Sequence, residues 1–338
     1  MSRPLTLIEH ITFGQRSFPH ATGAFTMLMH SLALACKTIG REVNQAGLGS
    51  LLGLTGRRNV QGETVARLDE FANDTLVRNL TRSGSVCAMA SEELAVPVRL
   101  PDTEIGGDYA VVFDPLDGSS NIDVAVSVGT IFGVFRRVTP RGRLGEEADL
   151  LQPGRALVAA GYALYGSSTV FVYTAGAGVD GFTLDPNLGE FLLSHPDLRV
   201  PERGSVLSAN MANDQTWDPA VRAAAHELLQ PAGAPPRALR YVGSMVADAH
   251  RTLLKGGLFL YPADAKQPAG KLRLLYEAAP LAFVFEHARG AASDGSGPLL
   301  DRQPRSPHDR TPVALGSRED VERFVTLARS RANIPPQG

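Results

Sequence analysis

A chain of 338 residues with 43% hydrophobic residues is long enough for about two domains with well-packed cores. The 33 Lys and Arg residues nearly balance the 35 Asp and Glu residues, which excludes a broad nucleic-acid-binding surface and an acidic tail. No apolar run approaches the roughly 20 residues of a membrane span, and the first residues lack the apolar core of a signal peptide. Cys36 and Cys87 each lie in an apolar stretch. We therefore predict a cytoplasmic protein with reduced, buried thiols and with no membrane or nucleic-acid partner.

Two amphipathic helices are predicted near the start of the chain. After a start signal at Thr22 and Gly23, apolar residues recur at steps of three and four: Phe25, Leu28, Leu32, Cys36, Ile39 and Val43. The second helix shows the same spacing at Val65, Leu68, Ala72, Leu76 and Leu80. The Gly-rich residues 46–62 between these helices are typical of a mobile loop.

Strand patterns follow the two helices. Apolar runs predict strands at residues 86–90, 109–113, 129–138, 156–162 and 169–173. Pro196 and Pro201 flank a polar stretch, which indicates a domain boundary near residue 200. We predict an N-terminal domain at residues 1–199, a C-terminal domain at residues 200–330 and a frayed tail at residues 331–338. Helix and strand signals alternate in both halves, which is typical of α/β domains, and residues 290–312 are predicted to form a loop.

The most informative segment is residues 113–123, which follow the apolar run at 109–112. Asp114 and Asp117 lie three positions apart where a buried strand is predicted to end, and Pro115 fixes the turn between them, so both carboxylates can face one point. Gly118 and three small polar residues come next, and their backbone N–H groups are suited to a phosphate. A bare D-x-x-D-G is also typical of an ordinary turn capped by Asp. The whole segment is more specific, and it predicts a metal and a phosphate side by side.

Further acids follow other predicted elements. Glu92 and Glu93 end the strand at residues 86–90, and Glu277 follows a further strand predicted at residues 271–275. Glu63 and Asp69 bracket the start of the second helix. Each of these acids alone would be typical of a surface or capping residue. Because no His or Cys cluster has zinc spacing, an all-oxygen site would favour Mg2+ or Mn2+.

Two nucleotide-binding motifs are excluded by their context. Residues 176–181 match G-x-G-x-x-G after a strand, but the residues that follow are extended and then turn at Pro186, so a hairpin is predicted there. Lys271 follows Gly270 but lacks the upstream glycine of a phosphate-binding P-loop, because Ala265 stands in its place.

With these residues in view, the chain resembles the class I fructose-1,6-bisphosphatases of the Mg2+-dependent, lithium-sensitive sugar phosphatase superfamily. The resemblance runs from about Thr22 to Phe324 and depends on residues 59–63, 91–93, 113–123, 127–133, 240–248, 260–262 and 271–277. The 113–123 segment alone would indicate only the superfamily, which includes inositol monophosphatases. The resemblance implies the sugar phosphatase fold, an α/β layered sandwich of two domains with alternating layers of helices and mixed sheets. The first domain would be of the allosteric type and carry most metal ligands, and the second would bind sugar phosphate.

The resemblance also implies roles for individual residues. More than one Mg2+ ion, or Mn2+ in its place, would be held by Glu92, Asp114, Asp117, Glu277 and the carbonyl of Leu116. The acids that activate water and organise the metals would be Glu63, Asp69 and Glu93. The 1-phosphate would be bound by Gly118, Ser119 and Ser120. The 6-phosphate and the sugar would be contacted by Asn210, Tyr241, Tyr261 and Lys271, with Met245 and Arg273 lining the sugar site and Arg240 donated by a neighbouring subunit.

The activity implied is hydrolysis of the 1-phosphate of fructose 1,6-bisphosphate by in-line attack of a metal-activated water, in a homotetramer with shared active sites. A sedoheptulose-1,7-bisphosphatase or a dual enzyme is an alternative, because the depth of the distal phosphate site is not readable from sequence. An inositol-monophosphatase-type enzyme and a catalytically silent metabolite sensor are further alternatives. The seven retained acids argue against the sensor.

An AMP site like that of AMP-inhibited relatives is only partly retained. Thr22, Gly23, Thr26, Tyr109 and Arg136 match that site, but Asp108 stands where the family has a lysine. The Asp108 carboxylate repels a bound phosphate, whereas a lysine at this position would attract it. We therefore predict that AMP inhibits weakly or not at all.

Overall fold

The structure is a computed structural model that describes residues 4–15, 23–48, 54–58, 64–101 and 107–332. The helices are α1 Leu7–Gln15, α2 Ala24–Asn44, α3 Arg67–Arg82, α4 Pro219–Leu229, α5 Met245–Lys255, α6 Ala279–His287 and α7 Arg318–Ala332. The strands before residue 200 are β1 Leu54–Arg58, β2 Thr64–Ala66, β3 Val86–Ser91, β4 Val98–Arg99, β5 Tyr109–Asp117, β6 Val128–Arg136, β7 Leu157–Tyr165, β8 Thr169–Thr174, β9 Asp180–Asp185 and β10 Glu190–His195. Those after it are β11 Val206–Ser208, β12 Ala238–Leu239, β13 Leu258–Tyr261, β14 Leu272–Arg273, β15 Ala291–Ser293, β16 Arg310–Thr311 and β17 Val313–Gly316.

An eight-stranded sheet is built from strands that precede residue 200. Its order is β10-β9-β8-β7-β6-β5-β3-β4, and the pairing is antiparallel except between β3 and β5. The parallel β3–β5 pair places the acids that end both strands at one edge of the sheet, because parallel strands share the direction of their carboxyl ends.

A five-stranded sheet follows in the second half of the chain, with the order β12-β11-β13-β17-β15. Strand β11 is parallel to both of its neighbours, and the other pairs are antiparallel. Two further sheets have only two strands each, β1-β2 and β14-β16.

The layers alternate between helices and sheets, as predicted. Helices α2 and α3 bury their apolar stripes on one face of the eight-stranded sheet. Helices α5 and α6 lie between its other face and the five-stranded sheet, and this core contains residues from both halves of the chain. Helices α4 and α7 cover the outer face of the five-stranded sheet. None of the helices in the described part of the chain combines the length and apolarity that a membrane span needs.

Several predicted elements are confirmed. Helix α2 contains the predicted stripe, and Leu28, Leu32, Cys36 and Ile39 are fully buried in it. Strands β8 and β9 are antiparallel neighbours, so residues 176–181 connect a hairpin, as predicted. Cys36 and Cys87 are free and buried, and burial raises the pKa of each thiol to about 12.

Other predictions were wrong in part. Val65 lies in β2, so the second helix begins at Arg67. Residues 46–62 contain a short helix at Ala46–Leu48 and strand β1, and their remaining residues 49–53 and 59–62 lie outside the described part. Residues 290–312 contain β15, β16 and a helical turn at Leu299–Asp301. In the last two cases strand pairing orders a stretch whose local composition is typical of a loop: β1 pairs with β2, β15 with β17 and β16 with β14.

Candidate active site

Strand β5 carries the Asp114/Asp117 pair inside the sheet rather than beyond its end. All nine of its residues are buried, and the pairing with β6 shifts register between Asp114 and Asp117. In a regular strand, side chains three positions apart point to opposite faces of the sheet. The bulge interrupts this alternation, so both carboxylates can approach one point. The carbonyl of Pro115 within the bulge accepts a hydrogen bond from Thr130 Oγ1 at 2.8 Å, and the N–H of Leu116 donates to Asp114 Oδ1 at 2.9 Å.

Glu277 reaches the same point from a distant part of the chain. It lies on a π-helical turn at Leu274–Ala278, so the strand predicted before it is limited to Leu272–Arg273. Its Oε2 accepts a hydrogen bond from the backbone N–H of Arg273 at 2.5 Å. Carboxylate oxygens of Asp114, Asp117 and Glu277 all lie within 4.8 Å of one another, and all three residues are buried. We refer to these three residues as the acidic cluster.

The electrostatics of the acidic cluster favour a bound cation. Burial, reinforced by repulsion from Glu92 and from the other acids, raises the pKa of Asp114 well above its usual value. Burial and repulsion from Glu92 act in the same way on the pKa of Glu277. Burial raises the pKa of Asp117 to about 7 although the Val246 N–H donates to it. Three oxygen donors that repel one another in a buried site fit a hard divalent cation, which would restore their ionised forms.

Glu92 joins the acidic cluster through its charge and pairs with Arg273. Glu92 Oε1 lies 3.1 Å from Arg273 Nη2, and both residues are buried. The backbone N–H of Glu92 donates to the carbonyl of Phe113, which ties the end of β3 to β5. The guanidinium of Arg273, expected to line the sugar site, thus also neutralises a predicted metal ligand.

The structure describes two of the three acids predicted to activate water. Asp69 is buried in the first turn of α3, and Glu93 is half-buried with its N–H donating to Ser91 Oγ at 3.3 Å. Glu63 lies outside the described residues. Their roles remain predictions.

The predicted phosphate loop, residues 118–121, begins directly after Asp117 of the acidic cluster. Gly118 has φ +77°, and a Cβ there would come within 2.7 Å of Ser244 Cβ, so glycine is required at this position. A short 3-10 helix at Ser119–Val124 follows, with Ser119 half-buried and Ser120 exposed. Asn121 Nδ2 donates to the carbonyl of Gly243 at 3.1 Å.

The residues predicted to bind the sugar and its distal phosphate partly come together. Lys271 Nζ lies 5.9 Å from the ring centroid of Tyr261, and Tyr261 is a hydrogen-bond partner of Tyr241, whose pKa is raised by burial. Lys271 and Arg240 are exposed, whereas Met245 is buried at the start of α5. Asn210 is half-buried and precedes a short helix at Met211–Thr216.

Sequence reasoning missed residues that hold the acidic cluster in place. Asp117 Oδ2 accepts from the Val246 N–H at 2.7 Å and from Ser244 Oγ at 3.2 Å. Thr130 Oγ1 joins the Pro115 carbonyl to the hydroxyl of Tyr165, 2.7 Å away. Ser244 and Val246 lie inside the 240–248 segment that carried the resemblance, and that segment was the only signal for them.

At the predicted AMP site, a neighbouring arginine partly compensates the negative charge of Asp108. Asp108 forms an ion pair with Arg141, so part of its repulsion for a phosphate is cancelled. Gly23, with φ +79°, caps α2, and Arg136 lies 5.1 Å from the ring centroid of Tyr109. Thr22 lies outside the described residues, and Thr26 lies in the first turn of α2.

Comparison with known families and relatives gives a consistent result. The family model described as fructose-1-6-bisphosphatase, N-terminal domain, matches residues 5–196, and the one for the C-terminal domain matches residues 200–329. The class 1 fructose-1,6-bisphosphatase of Lawsonia intracellularis is 52% identical over 330 residues, which are 97% of this chain and 98% of the relative. That of Sorangium cellulosum is 54% identical over 330 residues, or 96% of this chain and 94% of the relative.

A eukaryotic relative and a solved structure agree with this result. The cytosolic fructose-1,6-bisphosphatase of a Saccharum hybrid is 46% identical over 329 residues, or 97% of this chain and 95% of the relative. The crystal structure of Leishmania major fructose-1,6-bisphosphatase in its holo form superposes with a TM-score of 0.90 at 42% identity, covering 98% of this chain and 100% of that one.

Proposed function

The chain belongs to the fructose-1,6-bisphosphatase family, and on this ground we propose that it hydrolyses the 1-phosphate of D-fructose 1,6-bisphosphate to fructose 6-phosphate and phosphate. The observation that carries the proposal is the acidic cluster, whose member Asp117 directly precedes Gly118, the glycine that opens the phosphate loop. A phosphate held by this loop would have its reacting atom beside the buried carboxylates.

The proposed cofactor is Mg2+, or Mn2+ in its place, with more than one ion per subunit. The proposed ligands are the acidic cluster, Glu92 and the carbonyl of Leu116. The all-oxygen donor set and the raised pKa values of the acidic cluster support a hard divalent cation. When bound, such ions would stabilise negative charge on the attacking and leaving oxygens of an in-line displacement.

The other residues would bind the substrate and move protons. Ser119 and Ser120 would hold the 1-phosphate through hydroxyl and backbone N–H groups. A carboxylate oxygen of Glu93 would accept the proton of the attacking water, with Asp69 and Glu63 orienting that water. As the new phosphorus–oxygen bond forms, the bond between phosphorus and the sugar O1 breaks, and O1 takes up a proton from solvent so that fructose 6-phosphate leaves as the alcohol.

The sugar and its 6-phosphate would be bound by a second group of residues. We assign them to Asn210, Tyr241, Met245, Tyr261, Lys271 and Arg273. Arg240 would act from a neighbouring subunit of a homotetramer, and its exposure supports that assignment. A cytoplasmic location is supported by the relative named cytosolic, and the domain boundary near residue 200 by the change from one sheet to the other.

The decisive experiment is phosphate release from a panel of substrates, with Mg2+ or with EDTA, using the wild type and Asp117→Asn. We expect the wild type to release phosphate fastest from fructose 1,6-bisphosphate, and only with the metal. Equal rates with sedoheptulose 1,7-bisphosphate would indicate a dual enzyme. Equal rates with inositol 1-phosphate, or full activity in EDTA, would refute the proposal. Bisphosphate binding without phosphate release from any compound would favour the sensor.

A further inference from the structure

Residues 240–244, here called the distal loop, connect β12 to α5 and carry Tyr241, assigned to the substrate of its own subunit, and Arg240, assigned to that of a neighbouring subunit. Arg240 is exposed, and Tyr241 is half-buried. Strand β12 ends at Leu239, although the Arg240 N–H still donates to the carbonyl of Leu207 in β11 at 2.9 Å. Gly243 has φ +85°, and no regular strand or helix orders residues 241–243 of this loop. Something else must fix its backbone, because each free residue would cost about 1–2 kcal/mol to order.

Asp248 provides that anchor from the first turn of α5. Its side chain is fully buried at 0% exposure. Oδ2 accepts hydrogen bonds from the backbone N–H groups of Val242 at 3.0 Å and Gly243 at 3.1 Å. Oδ1 accepts from Ser208 Oγ at 2.8 Å and from Arg251 Nη2 at 3.0 Å. One carboxylate therefore joins the distal loop to β11 and α5.

Arg251 extends this anchor to the start of the distal loop. Its Nη2 also donates to the carbonyl of Arg240 at 2.7 Å. At the other end of the loop, Gly243 accepts from Asn121 in the phosphate loop, and Ser244 donates to Asp117. The loop held by Asp248 thus spans the distance from the proposed distal phosphate site to the acidic cluster.

We propose that Asp248, together with Arg251, is a positioning residue that holds the distal loop in the shape that binds the distal phosphate. This inference depends on the proposed function. Asp248 touches no substrate; it keeps the loop ordered before substrate arrives. Without it, substrate binding must order the loop, and this cost falls equally on the bound ground state and the transition state. Such a cost raises KM and leaves kcat nearly unchanged.

The test is steady-state kinetics of Asp248→Asn. Asparagine has the same size, but its NH2 group would face an N–H or guanidinium donor and could not accept from it. We expect KM for fructose 1,6-bisphosphate to rise about tenfold or more, the scale of one lost charged hydrogen-bonding group, with kcat within about threefold. Product inhibition distinguishes an effect on the distal phosphate site from an effect on the 1-phosphate site. Inhibition by fructose 6-phosphate should weaken in parallel with KM, whereas inhibition by inorganic phosphate should not.

Asp149→Asn is the matched control. Asp149 is also buried at 0% exposure and accepts from the backbone N–H groups of Val138, Thr139 and Glu146, but it makes no contact with the distal loop. Its substitution should lower the melting temperature to a similar extent and leave KM within about twofold of the wild type. A general loss of stability would therefore not be mistaken for loss of loop positioning.

Arg251→Met is the second variant and decides the question if Asp248→Asn does not fold. It keeps the aliphatic stem but removes the bonds to Asp248 and to the Arg240 carbonyl, so KM should rise about threefold or more. Unchanged KM in both variants, or equal weakening of both inhibitors, would overturn the inference. A wild type without bisphosphatase activity would refute the proposed function instead. Amide exchange at Val242 and Gly243 in Asp248→Asn would then test the anchor directly, and unaltered protection would overturn it.

Discussion

Removal of the metal should make the stability of this protein fall as pH rises, because of Asp117. Burial and repulsion raise the pKa of Asp117 to about 7 in the folded, metal-free protein, against an ordinary value of 3.8. Between these two values the folded protein keeps a proton that the unfolded chain has lost. The contribution to stability is therefore fully present below pH 3.8 and is lost as pH rises through about 7.

The two pKa values give the size of the effect. At pH 5 the unfolded side chain is already ionised while the folded one is still protonated, and at pH 8 both are ionised. Integrating the proton linkage between these limits gives a loss of about 2.6 kcal/mol in the free energy of unfolding. Asp117→Asn removes this titration while keeping the size of the side chain and one oxygen for the Val246 N–H.

The assay is urea unfolding of the wild type and of Asp117→Asn in EDTA at pH 5, 6, 7 and 8, at one protein concentration. Carboxylates outside the acidic cluster titrate alike in both proteins, so the difference between the two curves reports Asp117 together with its repulsion of Asp114 and Glu277. The wild type should lose about 2 to 3 kcal/mol relative to the variant from pH 5 to pH 8. Saturating Mg2+ at pH 8 should restore the wild type far more than the variant, because the ion binds the ionised carboxylates. A difference constant to within about 0.5 kcal/mol across the pH range would refute the reasoning.

Four further outcomes are expected. Glu93→Gln should lower kcat about 10²-fold or more with little change in KM, the usual scale for a lost general base, and turnover within threefold of wild type would remove Glu93 from the mechanism. Lys271→Ala should raise KM for fructose 1,6-bisphosphate roughly tenfold through loss of a charged phosphate contact, and an unchanged KM would contradict the distal site. Arg240→Ala should likewise raise KM roughly tenfold, and mixing it with Glu93→Gln should partly restore activity in hybrid oligomers, whereas no recovery would argue against a shared site. Asp108→Lys should increase AMP affinity by something like 30-fold and also release Arg141 from its ion pair, whereas potent inhibition of the unmodified protein by micromolar AMP would show that Asp108 is not the obstacle.

Local sequence patterns determined the parts of this protein that depend on local physics. The stripe from Phe25 to Val43 specifies a helix with one apolar face, and α2 buries that face. The run before Asp114 specifies a buried strand, and β5 is that strand. For the same reason, the sequence predicted the α/β class. It also predicted that residues 176–181 belong to a hairpin and not to a nucleotide-binding turn. Periodicity and turn chemistry act within a few residues.

Only the tertiary structure decided how the candidate site is assembled. The bulge that brings Asp114 and Asp117 together depends on pairing with β6, and the anchors of Asp117 come from Ser244 and Val246, more than 120 residues away along the chain. Glu277 approaches on a π-helical turn, although its apolar neighbours predicted a strand. A residue's neighbours in sequence carry no information about which distant donor will meet its carboxylate. That partner is selected by the packing of α5 and β5 around one buried core, where every polar group left without a partner would cost free energy.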